Sequence, residues 1–142
     1  MKRIIYFLMI LMMAFYLFSC KKAQDDIEVP VSFYYCTLST QKDSKLPVFE
    51  AEIREAVTYN GDLSAILNYY LTGPNSNELS NPFPAATQVV SVICDDTGIT
   101  LTLTSSFGEL TGLDLYVACA AISMTVIEIT QCESVIISAD NI

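Results

Sequence analysis

Residues 94–98, Cys-Asp-Asp-Thr-Gly, are the one stretch of this 142-residue chain from which a catalytic reading can start. Asp96-Thr97-Gly98 matches the short signature of aspartic proteases, whose reaction needs two carboxylates sharing one proton. The triplet occurs once, so a homodimer would have to supply the second carboxylate, and no apolar-apolar-Gly support follows it. Asp, Thr and Gly are also what tight turns prefer, and a turn is the reading adopted. Asp95 and Asp96 lack the alternating oxygen ligands of a calcium loop. The chain has no histidine, which excludes a Ser-His or Cys-His nucleophile. Beyond Cys20 the cysteines are Cys36, Cys94, Cys119 and Cys132, an even number compatible with disulfides. No C-x-x-C spacing occurs, and a zinc site would need four thiolates converging from scattered positions. Their neighbours ("FYYCTL", "SVICDD", "YVACAAI") are apolar or β-branched, which favours buried free thiols. Tyr34, Tyr35, Tyr69 and Tyr70 have the chemistry to stack sugars, but tyrosine on strand and helix faces more often serves the core. No catalytic residue, metal site or cofactor is expected.

The N-terminus carries a different chemistry. An uninterrupted apolar run from Ile4 to Phe18 spans 15 residues, short of the ~20 that cross a bilayer core. Lys2 and Arg3 precede it and small Ser19 closes it, the order of a secretory signal. Ser19 sits directly before Cys20 and two places after Leu17, which resembles the bacterial lipobox. That resemblance implies cleavage after Ser19 and a diacylglycerol on the Cys20 sulfur. The expected organisation is a leader over 1–19, a lipidated tether over 20–28 and one domain over 29–142. Loss of Lys2 and Arg3 leaves five basic against 16 acidic residues, a formal charge of −11. Such a surface repels phosphate backbones and anionic lipid heads, so nucleic acid is excluded and the acyl chains must supply the membrane attachment.

The elements that must position any site follow from periodicity. "VPVSFYYCTL" (29–38) is β-branched and aromatic and reads as a strand; 40–45 is a turn, and "LPVFEAEIR" (46–54) returns as a second extended piece. Leu63, Ile66, Leu67, Tyr70 and Leu71 recur at helical spacing. Asn60 or Asp62 caps this helix, and Gly73-Pro74 stops it. A loop rich in Asn, Ser and Pro (75–87) leads to "QVVSVICDDTGITLTLTSSF", a hairpin closed at "DDTG" with Ile99, Leu101 and Leu103 on its buried face. Thr111 and Asp114 resemble a capping box opening a helix that runs to about Ser123. Its apolar positions go nearly all round, so it is either fully covered or faces a partner. "ESVIISA" (133–139) is the last strand. The order gives an α+β fold: a mixed β-sheet with two helices packed on one face, in a single small domain.

Four of these pieces together resemble the GerMN domain of spore-germination and sporulation lipoproteins. They are "SFYY", "KLPVFE", "YYLTGP", and a proline-bearing loop into a V-x-S-V hairpin ending in "LTLTSSF", and they extend over 31–139. The resemblance implies a non-enzymatic envelope protein, similar to ring-building modules that organise assemblies between sporulation membranes, with no recognised catalytic residues. The expected function is therefore a lipid-anchored interaction or scaffold protein on the outer face of the cytoplasmic membrane. A small ligand- or peptidoglycan-fragment-binding lipoprotein is the alternative. Self-association or a protein partner is expected through Leu115, Ala118, Cys119 and Ile122, with Tyr116, Val117 and Ala120 turned toward the sheet.

Overall fold

The computed structural model describes residues 30–37, 49–54 and 61–140. The leader, Cys20, the tether, the turn at 40–45, positions 46–48 and the Asn60 cap lie outside the described residues. Strand β1 (Val31–Thr37) pairs antiparallel with β2 (Phe49–Arg54) in a register that sets Val31 opposite Arg54 and Tyr35 opposite Glu50. Its strict alternation sends Val31, Phe33 and Tyr35 inward. A two-residue strand, β3 (Leu79–Ser80), extends the sheet on the other side to give the order β2-β1-β3. A second three-stranded sheet has the order β4-β5-β6, from β4 (Val89–Asp95), β5 (Gly98–Leu103) and β6 (Val135–Ala139). β4 and β5 form the expected hairpin, with Ile99, Leu101 and Leu103 buried. β5 and β6 run parallel, so a crossover must join them. The long helix provides it.

The α+β architecture holds, and its strands divide into two sheets where one was expected. Pro82 and Pro84 follow β3 at once, and proline has no N–H to donate to a ladder. Beyond β3 the free edge of β1 is satisfied by side chains instead. The Tyr34 amide donates to Thr125 Oγ1 at 3.0 Å, and the Tyr34 carbonyl accepts from the Tyr70 hydroxyl at 2.6 Å. Each helix thus plugs one backbone group of an edge that a strand would otherwise cover. Both sheets and both helices then share one core, centred on Phe33, Tyr35, Leu67, Tyr70, Leu101, Leu103, Ala118, Ile122 and Val126.

Helix α1 (Leu63–Leu71) starts as its sequence predicts: Asp62 accepts from the Ala65 amide at 3.1 Å. It stops at Gly73, whose φ of 102° is open to glycine and strained for other residues. Helix α2 (Gly112–Thr130) departs from expectation at both ends. Thr111 occupies the N-cap without a side-chain hydrogen bond, so no capping box forms. The helix continues past Ser123 to Thr130 and closes on Gln131 at φ 56°. Its last turns, "TVIEIT", are β-branched and read locally as strand, but burying Thr125 and Val126 outweighs that weak preference.

The hairpin turn explains the Asp-Thr-Gly triplet. Asp95, one residue earlier, accepts from the Thr97 amide (2.8 Å), the Thr97 hydroxyl (2.6 Å) and the Gly98 amide (3.0 Å). The Thr97 hydroxyl bond leads in holding the Asp95 carboxyl below its ordinary pKa. Gly98 has φ 156°, and a Cβ there would collide with the hydroxyl and carbonyl of Ser134. Gly98→Ala is therefore expected to cost about 2 kcal/mol or more, from backbone strain and the displaced β6 approach. A thermal melt unchanged from wild type would contradict this.

Candidate functional site: a buried cation and an uncovered helix face

β2 places two charged residues on the inner face of the first sheet. Glu52 and Arg54 are two apart on a strand and so point the same way. Arg54 is 5% exposed. Its Nε donates to Glu52 Oε1 at 2.6 Å, and its Nη2 donates to the Gly73 carbonyl (2.6 Å) and the Tyr35 hydroxyl (3.1 Å). The guanidinium lies 4.7 Å from the Tyr69 ring centre and 5.0 Å from that of Phe33. Glu52 spends its second oxygen on the Asn75 and Ser76 amides, both at 2.9 Å. The node joins the first sheet to the end of α1 and the loop after it. It also brings a cation to a helix C-terminus that has no basic residue of its own. Burial pushes the Glu52 carboxyl up, but the Arg54 hydrogen bond, the two amides and the guanidinium charge outweigh it and hold its pKa below the ordinary value. For Arg54, burial works against the charge and the Glu52 bond reverses it, leaving the pKa raised.

The tyrosines with the chemistry to stack sugars, expected instead to serve the core, are divided by this packing. Tyr35 and Tyr70 are fully buried, 5.0 Å apart between ring centres, and the Tyr35 hydroxyl donates to the Tyr70 carbonyl at 2.7 Å. Phe33 stacks on Tyr70 at 5.2 Å, and Phe83 meets it edge-on. Burial pushes both hydroxyls far above the ordinary tyrosine pKa. The unfolded chain gives up these protons near pH ~10 and the folded chain does not, so the stability they contribute is present below that pH and is lost as pH rises beyond it. Ultraviolet absorbance in an alkaline titration is expected to show Tyr35 and Tyr70 ionising only as circular dichroism reports unfolding. Complete tyrosine ionisation in a folded chain would contradict this. Tyr69 is 43% exposed. It lines an open groove of about 600 Å³ with Glu52, Ile53, Arg54, Asn75 and Ser76. Arg54 Nη1 is buried there without a hydrogen-bond partner. Neither Glu52 nor Arg54 was among the expected site residues. Their signal was a lone cation two positions from a carboxylate in a strand pattern.

The structure separates the four residues expected to meet a partner: Ala118 and Ile122 are fully buried in the domain core, while Leu115 and Cys119 are half-buried. Leu115 and Cys119 line a cavity of about 420 Å³ with Phe107, Leu110 and Ile137. Small Ala118 and Ala121 let α2 approach β1 and β6 closely, and the helix turns that stripe inward. Tyr116, expected against the sheet, is 75% exposed, and Val117 and Ala120 are half-buried. With Leu113 (62%), Met124 and Ile127, Tyr116 forms an uncovered apolar stripe. By length and composition α2 is able to cross a membrane, but its inner stripe belongs to the domain core. The cysteines Cys36, Cys94, Cys119 and Cys132 are free, with Cys94 exposed rather than buried as expected. Burial raises the Cys36 and Cys119 thiols, making them poorer nucleophiles. Among the described residues no three His, Cys, Asp or Glu side chains are grouped to hold a metal.

Charge is distributed as unevenly as apolar surface. Residues 55–142 contain no Lys, Arg or His and ten acidic residues. Among the described residues the only cation is Arg54, and it is buried. The surface they present is therefore purely anionic.

These features define a small α+β domain with two three-stranded sheets around one core, a buried polar node holding the fold together, and one apolar helix face left open. The chain belongs to the Germane family, described as sporulation and spore germination, whose model matches residues 32–142. Its fold is similar to that of the tandem GerMN domains of the sporulation protein GerM from Bacillus subtilis. The TM-score is 0.60 at 22% identity, over 80% of this chain and 39% of that structure. The chain thus spans about two-fifths of that relative's length. A weaker likeness, TM-score 0.45 at 21% identity, is to a candidate lipoprotein from Clostridium perfringens, over 80% of this chain and 76% of that one. No curated protein matches the chain.

Proposed function

We propose that this protein is a lipid-anchored, extracytoplasmic interaction module of the cell envelope, serving an assembly in sporulation or germination, and that it is not an enzyme. The observation that carries the reading is the uncovered apolar stripe of α2 in a domain of the Germane family. Solvated helices on a sheet normally keep a polar outer face, and an apolar one is what a partner covers. The leader supports the address: a 15-residue apolar run ending at Leu17-Phe18-Ser19-Cys20 provides a thioether anchor and no span.

The anchor is tested first. Mass spectrometry of the N-terminal peptide from membranes is expected to find Cys20 as residue one, carrying diacylglycerol. A membrane-bound chain that retains Met1 and a free Cys20 would defeat the anchoring. The interaction is tested by treating intact cells with a membrane-impermeant crosslinker, which is expected to trap the protein in adducts of defined size; recovery as the uncrosslinked chain alone would count against a module. The ligand-binding alternative has its own observation, the groove beside the unpartnered Arg54 Nη1. That nitrogen has essentially no accessible surface, so a ligand in the groove does not reach it, and the interaction reading is preferred.

A further inference from the structure

The uncovered stripe of α2 has a spacing, a length and a charged border that together select an occupant. Leu113, Tyr116, Ala120, Met124 and Ile127 fall at i, i+3, i+7, i+11 and i+14, and so line one side of the helix. At 1.5 Å per residue the stripe is about 21 Å long, four turns of a facing helix. Leu113, Tyr116 and Ile127 are 62%, 75% and 41% exposed, and Ala120, at the middle, is small enough for a second backbone to come close. The charged residues of α2 are Asp114 near its start and Glu128 near its end, both exposed and both acidic.

We propose that this face is the docking site for an amphipathic helical segment of another protein whose apolar seam is bordered by lysine or arginine. The inference rests on the interaction-module reading and adds to it the surface and the partner's chemistry. Charge decides between the possible occupants. An antiparallel second copy would bring Glu128 against the acidic start of the facing helix at Asp114, and in any orientation a second copy sets two anionic domains together with no exposed described cation to offset them. An anionic leaflet is repelled by the same surface. A cationic amphipathic helix meets both conditions, laying its apolar residues on Leu113, Tyr116 and Ile127 and turning its cations to the acidic flank that carries Glu128 and, farther round, Asp114. Glu128, four residues on from Met124, borders the stripe, and Asp114 lies farther round the same flank beside Leu110 and Val117; these exposed charges set orientation and encounter rate, while the apolar stripe supplies the affinity.

The test uses the full lipidated chain in the cells that encode it. A benzophenone amino acid is placed at Tyr116 on the stripe and, separately, at Ile136, which is 62% exposed on the outer face of the second sheet. After irradiation the crosslinked peptide is sequenced by mass spectrometry. The expected result is an adduct at position 116 to a segment of another protein with an apolar seam and Lys or Arg on its borders. Its yield is expected to fall about tenfold in the Asp114→Lys/Glu128→Lys background, whose fold is checked by circular dichroism. An adduct at 116 to a second copy, to lipid, or to a segment without cationic borders overturns the inference, as does an unchanged yield in the charge-reversed protein. Adducts from Ile136 alone also overturn it but leave the interaction module standing. No adduct at either position defeats both.

Discussion

Ala118→Glu is expected to unfold the domain, whereas Tyr116→Glu, two residues away on the same helix, is expected to leave its stability within about 0.5 kcal/mol of wild type. Ala118 is fully buried between α2 and the sheets, in the same cluster as Ile122, Leu101 and Leu103. A glutamate there adds volume to a packed core, which alone costs roughly 1–3 kcal/mol. It must also bury a carboxylate or take up a proton to avoid doing so. The only described cation, Arg54, is already held by Glu52. Together these terms exceed about 4 kcal/mol, a large share of the ~5–15 kcal/mol that holds a domain of this size together. Tyr116 is three-quarters exposed, and glutamate is a good helix former, so the second change removes apolar surface without touching the core. Urea denaturation followed by far-UV circular dichroism distinguishes the two. A folded Ala118→Glu protein of near wild-type stability would mean that α2 does not bury this face.

The second large effect is expected at Arg54. Arg54→Met removes the guanidinium from between Phe33 and Tyr69, takes away the main donors to the Gly73 carbonyl and Glu52 Oε1, and leaves the Glu52 carboxylate without its cation. Removing one partner of a buried pair typically costs about 3–5 kcal/mol, because the remaining charge is uncompensated. Glu52→Gln/Arg54→Met is expected to cost less than the two single changes added together, since each single change strands the other partner. The pH dependence has a definite sign. Glu52 is held below its ordinary pKa in the folded state, so its contribution is present above the unfolded carboxylate pKa and is lost as the pH falls through the lowered folded value. Glu52→Gln is expected to flatten that acid limb. Arg54→Met within about 1 kcal/mol of wild type, or an acid limb unchanged by Glu52→Gln, would show that the node is not a structural cross-link.

Local chemistry decided much of this protein before any packing did. Asp62 before an apolar 3.6-residue repeat and Gly73-Pro74 after it bounded α1, because capping and left-handed stops act within one turn of chain. The alternation of Ile99, Leu101 and Leu103 with threonines gave β5 its buried face, because a strand's two sides are set by a period of two. The absence of histidine settled which nucleophiles do not exist, and the combined motifs placed the family. The face of α2 was decided elsewhere. Its apolar residues surround the helix, so periodicity carried no direction, and the choice fell to the small side chains of Ala118 and Ala121, which allow the closest approach to β1 and β6. Thr125 and Val126 continued that helix against their local preference because the core received them. The division into two sheets came from the same level, with the helices satisfying the Tyr34 backbone where β3 ends. The Arg54 node was likewise tertiary: its contact to Glu52 is two residues away, but its other partners lie 19 residues off in either direction, at Tyr35 and Gly73. Only folding brings a strand cation to the end of a helix, because the Gly73 carbonyl and the Tyr35 hydroxyl come within its reach only once α1 has formed and docked.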